Sequence, residues 1–417
     1  MEGTGSIEND DPICFTGHGE TMVDKDEVTY LGPLVALSSL YFIFGFITCL
    51  NDILVPHLKV VFELNYARAM FIQLSFFSAY FIVSLPSGWL VDRLGYQKGM
   101  VLGLAAMAGG CLLFYPAAAS RAYAMFLAAL FLLAAGITLL QVAANPYVAL
   151  LGSTGTASSR LTLTQAFNSL GTTLAPLFGS ALILAGTGAT AVQLPYLGLA
   201  ATLLALAGFT ALFPMPAGRP QGPARPGNPL RHRPMLLGAI GIFLYVGAEV
   251  GIGSFLVNYI SQADVGGITL ARAARYVSFY WGGAMAGRFA GAAVMRLVPP
   301  PRVLACNAVA AMALVLAAMA AHGRVSMWAI LSVGFFNSIM FPTIFTLAIK
   351  DLGERMGRAS GILCMAVVGG AVVPLAQGLL ADWQGIRVAF ALPALCYAYI
   401  AYYGAAGHLP RAGQGSL

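Results

Sequence analysis

The sequence predicts an all-α integral membrane protein, with about twelve transmembrane helices arranged as two pseudo-symmetric bundles of six. Two observations carry that prediction. Of 417 residues, 59% are hydrophobic and 9% charged, with a mean hydropathy of +0.80, whereas an ordinary soluble domain carries about a quarter charged residues. Apolar runs of about 20 residues, enough to cross a bilayer core about 30 Å thick, also recur along nearly the whole chain between short charged or Pro-rich breaks. The net charge of +6 does not point to nucleic acid, because Lys and Arg are scattered singly between the apolar runs and form no basic patch.

Residues 1–30 are polar and acidic and lack the basic start and apolar core of a signal peptide, so a disordered cytoplasmic tail is expected there. Six spans follow at 31–57, 68–91, 98–116, 121–149, 160–186 and 192–213, making an amino-terminal bundle over 31–213. At 214–234 Pro, Gly and Arg replace the apolar pattern, and this stretch is expected to be a cytoplasmic linker. The carboxy-terminal bundle, 235–408, holds spans 235–262, 271–297, 303–321, 325–350, 357–381 and 386–406, before a short tail at 409–417. Lys and Arg concentrate on the side that the two termini share, which places both termini in the cytoplasm and the protein in the cell inner (plasma) membrane.

The halves echo each other. Gly88 to Arg93 (GWLVDR) closes the second span and Gly291 to Arg296 (GAAVMR) the eighth, while Asn145-Pro146 and Phe341-Pro342 fall late in the fourth and tenth. The offset of roughly 200 residues suits a duplicated six-helix unit. Pro146, Pro176, Pro342 and Pro374 each free a backbone carbonyl, so bends are expected in the fourth, fifth, tenth and eleventh spans. The 6 cysteines show no CxxC or Cys/His grouping and read as small apolar side chains, so no metal or other cofactor is expected.

An ionisable group at the bilayer centre costs roughly 2.5 kcal/mol or more unless it faces a polar cavity or a partner. Three such groups stand in apolar runs. Asp52, with Thr48 one turn earlier on the same face, would load and release a proton as its surroundings alternate between wet and dry; the alternative is a structural carboxylate bonded to a neighbouring helix. Glu249 opens the second half as Asp52 opens the first, flanked by Tyr245 and Gly253, and is a candidate for substrate contact or for structure. Arg288 is permanently charged and cannot carry the proton, so a structural or gating ion pair near the cytoplasmic end is expected, with substrate contact as the alternative.

Gln141 and Asn145, four apart, and Gln165 and Asn168, three apart, each project from one helical face. Amides both donate and accept, which suits a ligand made of hydroxyl groups or, equally, hydrogen bonding between helices. Gln73, Asn258 and Asn337 add single amides, and Tyr280 with Trp281 would offer an apolar face to a sugar ring or simply pack. No nucleophile with a base or metal-ligand spacing is visible, so an enzyme is not expected.

The segment GWLVDRLGYQK, Gly88 to Lys98, resembles the loop between helices 2 and 3 of the major facilitator superfamily. There an Asp and an Arg, here Asp92 and Arg93, brace the cytoplasmic side of one conformation. LNDILVPHL at Leu50 to Leu58, QVAANPYV at Gln141 to Val148, LTQAFNSLG at Leu163 to Gly171, FLYVGAEVGIGSF at Phe243 to Phe255 and FPTIFTLAIKDLG at Phe341 to Gly353 look like the fucose/galactose/glucose:proton symporter branch, in wording closest to bacterial glucose/galactose permeases. The resemblance implies a V-shaped pair of six-helix bundles and proton-driven import of a hexose, glucose or galactose before fucose. Asp52 would carry the proton, Gln141 stands where fucose permeases place a second carboxylate, and Asn168 is expected near the sugar. Coupling to Na+ stays open as an alternative, as does a drug or amphiphile efflux antiporter of the same superfamily, which would favour an apolar cavity over paired amides. The expected partners are a small sugar and the lipid bilayer, with no nucleic acid, and the protein is expected to be a monomer.

Overall fold

The computed structural model describes residues 25–61, 66–120, 122–179, 193–216, 229 and 232–410, with side chains described in all of these except 25–29, 51–61, 66–74, 177–179, 271 and 354. Every regular element among the described residues is helical. The first half comprises α1 (Lys25–Val61), α2 (Tyr66–Leu94), α3 (Tyr96–Ser120), α4 (Tyr123–Leu150), α5 (Ala157–Gly179) and α6 (Gln193–Leu212). The second comprises α7 (Arg233–Ser261), α8 (Leu270–Val294), α9 (Pro300–Ala320), α10 (Gly323–Asn337), α11 (Met340–Ile349), α12 (Met356–Met365), α13 (Gly369–Gln384), α14 (Ile386–Ala389) and α15 (Ala391–Tyr402), closed by a π turn at Tyr403–Gly407. With the tenth, eleventh and twelfth spans each split in two, this is the expected all-α fold of twelve spans in two bundles.

One boundary differs from expectation by more than a few residues. Helix α1 begins at Lys25, so residues 25–30 belong to it instead of to a tail. Lys25–Tyr30 contains neither Pro nor Gly to break a helix. The rest of the expected tails, 1–24 and 411–417, lie outside the described residues, as do 180–186 of the fifth span and most of the linker. The tenth span breaks between α10 and α11 because Pro342 has no N–H to offer the Ser338 carbonyl four residues back. The eleventh tightens to a 3₁₀ turn at Ala366–Val368, just before Gly369-Gly370. By contrast α4 and α5 run through Pro146 and Pro176 as single helices.

In the first half α3 packs on α4 and α6, α1 on α5, and α2 on α4; in the second α7 packs on α11, α13 and α15, α9 on α10 and α15, and α8 on α10. The repeat shows in its close approaches. A Cβ at Gly171 would run into the Phe42 carbonyl of α1, and one at Gly369 into the Phe243 carbonyl of α7, so glycine lets corresponding helix pairs touch in each half.

The halves meet along a seam in which α5 lies against α8 and α2 against α12. Among the described residues nine helical stretches are long and apolar enough to cross a membrane, and α5 and α8 are not among them. Their apolar pattern is diluted by Gln165, Asn168 and Ser169 on one and Arg288 on the other, because these helices spend a face on the seam.

Candidate functional site

On the first half's side of the seam, five residues form a buried polar group. The Tyr41 hydroxyl of α1 donates to Asn145 Oδ1 of α4, and Asn168 Nδ2 of α5 donates back to the Tyr41 carbonyl at 3.1 Å. One turn before Asn145, Gln141 Nε2 donates to the Tyr80 hydroxyl of α2 at 2.8 Å. Gln141, Asn145 and Asn168 are all buried. Four helices converge here, and α1 approaches α5 very closely: a Cβ at Gly45 would strike the Asn168 carbonyl. From the other half Cys364 of α12 reaches this group, its thiol against Asn145 and near Tyr41 and Tyr80.

The second half contributes a charged group. Glu249 Oε1 of α7 stands 3.7 Å from Arg288 Nη2 of α8, and both side chains are 13% exposed. Tyr245, one turn before Glu249, interacts with the carboxylate. Arg288 is held by three further groups. Its Nε donates to the Ser338 carbonyl at 3.2 Å, the acceptor that Pro342 leaves without a helical partner. Its Nη1 donates across the seam to Ser169 Oγ and, at 3.5 Å, to the Gln165 carbonyl, both on α5. Beside this group Asn337 donates to the hydroxyls of Tyr280, at 2.7 Å, and Tyr397, at 3.2 Å.

Toward the end of the bundle that carries the linker, polar side chains fasten the halves together. Ser158 and Thr346 hydroxyls meet at 2.6 Å, Ser159 donates to the Ala292 carbonyl at 2.5 Å, and Ser360 donates at 2.8 Å to the Val142 carbonyl. That carbonyl is free because residue 146 is proline. At the same end Asp92 Oδ2 pairs with Arg358 Nε at 3.2 Å and accepts from the Gly357 and Arg358 backbone N–H groups at the start of α12. The carboxylate thus meets both a cation and the positive end of a helix dipole. Here α2 and α12 touch backbone to backbone: a Cβ at Gly88 would lie 2.7 Å from the Gly357 carbonyl, and one at Gly361 2.6 Å from that of Ser84.

Of the expected site residues, then, Gln141, Asn145 and Asn168 come together, Glu249 and Arg288 form a pair that Gln165 joins through its carbonyl, and Asn337 stands beside them with its amide taken by two tyrosines. Arg288 meets Glu249 near the middle of α7, not at the end of the bundle. Trp281 stacks edge-on against Tyr280 at 5.1 Å and is exposed, as is Asn258 near the end of α7, so neither joins the two groups. Arg93 stacks on Trp89 at 3.6 Å while its neighbour Asp92 crosses the seam, since adjacent helical residues point in different directions. The side chains of Asp52 and Gln73 lie outside the described residues. Sequence reasoning missed Tyr41, Tyr80, Ser169, Ser338 and Arg358. A signal existed for the tyrosines: Tyr80 and Tyr280 are offset, like Gln141 and Asn337, by roughly the 200 residues of the repeat, and each pair hydrogen-bonds.

The comparisons with known proteins agree with one another. A profile of the Major Facilitator Superfamily matches residues 37–367. The glucose/galactose transporter of Brucella abortus is 54% identical over 96% of this chain and 98% of its own length. The L-fucose-proton symporter of Escherichia coli is 35% identical over 91% of this chain and 94% of its own. Among solved structures, that of the transporter FucP in the outward conformation superposes with a TM-score of 0.84 at 33% identity, covering 90% of this chain and 99% of that one.

Proposed function

We infer the function of this chain from its family: it belongs to the major facilitator superfamily. It moves a sugar across a membrane. Our finer reading is uptake of a hexose, glucose or galactose before fucose, by proton symport through alternating access. The 54% identity to a glucose/galactose transporter supports the choice of sugar, and the 35% identity to a fucose-proton symporter supports the choice of ion.

One observation carries the mechanism: the buried amides of one half and the Glu249–Arg288 pair of the other face a seam that polar contacts fasten at one end. We read the fastened end as cytoplasmic, which makes this an outward-facing arrangement and accords with the FucP likeness. The amides and Glu249 then accept and donate to sugar hydroxyls from both sides. Asp52 on α1 takes the proton. A bare carboxylate makes the dry intermediate between the two facing states costly, so the carrier crosses readily when Asp52 is protonated. Asp92 and Arg358 separate when the cytoplasmic end opens.

The test is uptake of labelled glucose, galactose and fucose into proteoliposomes under separately imposed proton and sodium gradients. Uphill uptake of glucose and galactose driven by the proton gradient is expected. Uptake that follows neither gradient, or that takes fucose alone, refutes the reading.

A further inference from the structure

Arg288 is shared between the halves. In its own half it is bound to the Ser338 carbonyl and stands at ion-pair distance, 3.7 Å, from Glu249; from the other half it is gripped by Ser169 Oγ and the Gln165 carbonyl. Ser169 is built for this. Its hydroxyl donates to the Gln165 carbonyl one turn back at 3.2 Å, which leaves a lone pair facing the guanidinium, and the side chain is 4% exposed. Glu249 Oε1, meanwhile, is buried without a hydrogen bond. A buried carboxylate oxygen with its cation at 3.7 Å and no hydrogen bond is a standing cost, and the hydrogen bonds of that guanidinium, from Nε and Nη1, go to other acceptors.

Any rotation of one half against the other must change this arrangement asymmetrically. Glu249, Ser338 and Arg288 all ride on the second half and move together. Ser169 and Gln165 ride on the first. Along the seam the same two helices touch at Ser159 and Ala292, at Phe167 and Phe289, and at Thr173 and Met285, with Arg288 among these contacts and the only charge in them. We propose that Arg288 changes partners as the carrier switches: Ser169 holds it in the state closed at the linker end, and release from Ser169 lets it close from 3.7 Å to hydrogen-bond distance on Glu249 Oε1 in the other state. Ser169 is a positioning residue in this scheme, acting on the sugar site through Arg288. The inference rests on the alternating-access reading and adds to it the element that sets the balance between the two states.

Ser169 and Glu249 are thus opposed, and substitutions at the two must shift the balance in opposite directions. The measurement is the distance between spin labels at Lys98→Cys and Lys350→Cys, exposed positions at the linker end of opposite halves, in a cysteine-free background, in liposomes without sugar or ion gradient. Ser169→Ala and Ser169→Gly, which remove the hydroxyl and add no thiol, should raise the long-distance fraction about 3- to 10-fold, from the average hydrogen bond within a membrane protein to the low end for one to a charged group. Glu249→Gln should lower that fraction, and Ser169→Thr, which restores the hydroxyl, should return it to the wild-type value. Shifts of the same sign in the serine and glutamate variants, or an unchanged distribution in folded Ser169→Ala and Ser169→Gly protein, overturn the proposal. Because no sugar or gradient is present, a failure here is distinct from a failure of the uptake assay.

Discussion

At the scale of single residues, the proposed cycle takes the sugar between groups of both halves and gives the proton to one carboxylate of the first. Around α4 and α5 the first half presents neutral amides, of which Gln141 and Asn145 already share their polarity with Tyr80 and Tyr41. A sugar hydroxyl replacing a tyrosine hydroxyl at such an amide exchanges one neutral hydrogen bond for another, so binding there costs little and does not depend on protonation. The proposed cycle puts the proton on Asp52 in α1, and charge is what a dry intermediate penalises. Asn in its place keeps the size and the polarity and removes the switch. Asp52→Asn should therefore hold the accumulation ratio in an imposed proton gradient at about 1 while sugar exchange across the same membrane continues. Efflux and counterflow measured side by side in proteoliposomes give both numbers, and uphill accumulation by the variant would remove Asp52 from the coupling step.

At the scale of elements, the halves touch backbone to backbone where α2 crosses α12. Ser84 and Gly88 on one helix and Gly357 and Gly361 on the other stand four residues apart, the small-residue pattern that lets membrane helices meet backbone to backbone. At Gly88 and Gly361 the atoms that an added Cβ would strike are carbonyl oxygens, which cannot swing aside as a flexible side chain would. Gly361→Val should thus pry the crossing apart and shift the carrier toward its linker-end-open form, measured as a longer Lys98→Cys to Lys350→Cys label distance and weaker binding of external sugar. Gly208→Ala, on α6 where a Cβ meets nothing within 4 Å, is the control and should change neither. Some of this was legible beforehand. The periodic apolar runs marked the spans, and four-residue spacing put Gln141 and Asn145 on one face. The partnership of Arg288 with Glu249 and Ser169 was not legible, because sequence spacing orders residues along a helix but does not say how that helix is rotated against a neighbour. For the same reason Asn337 read as a free amide although Tyr280 and Tyr397 occupy it, and Arg93 read as part of a brace that Asp92 and Arg358 form without it.

At the scale of the whole molecule, two halves of one design do unlike work because the freed carbonyls of equivalent prolines are spent differently. Pro146 frees the Val142 carbonyl, and Ser360 of the opposite half takes it, so that bond must break when the halves part. Pro342 frees the Ser338 carbonyl, and Arg288 of the same half takes it, so that bond survives. The linker end is accordingly held by contacts that a rotation undoes, and fixing one of them should stop the cycle without touching the sugar site. Ser158 and Thr346 are the pair to use, since their hydroxyls already meet at 2.6 Å across the seam, with Ser158 on α5 and Thr346 on α11. Two cysteines in their place bring the sulfurs close to bonding distance with little backbone movement. The double variant Ser158→Cys/Thr346→Cys should transport when reduced, lose transport on oxidation, and regain it with reductant, while external sugar still binds the oxidised protein. The single variants should be indifferent to oxidant. Transport that persists in fully cross-linked protein would mean that this end never opens, and the alternating-access reading of the seam would fall with it.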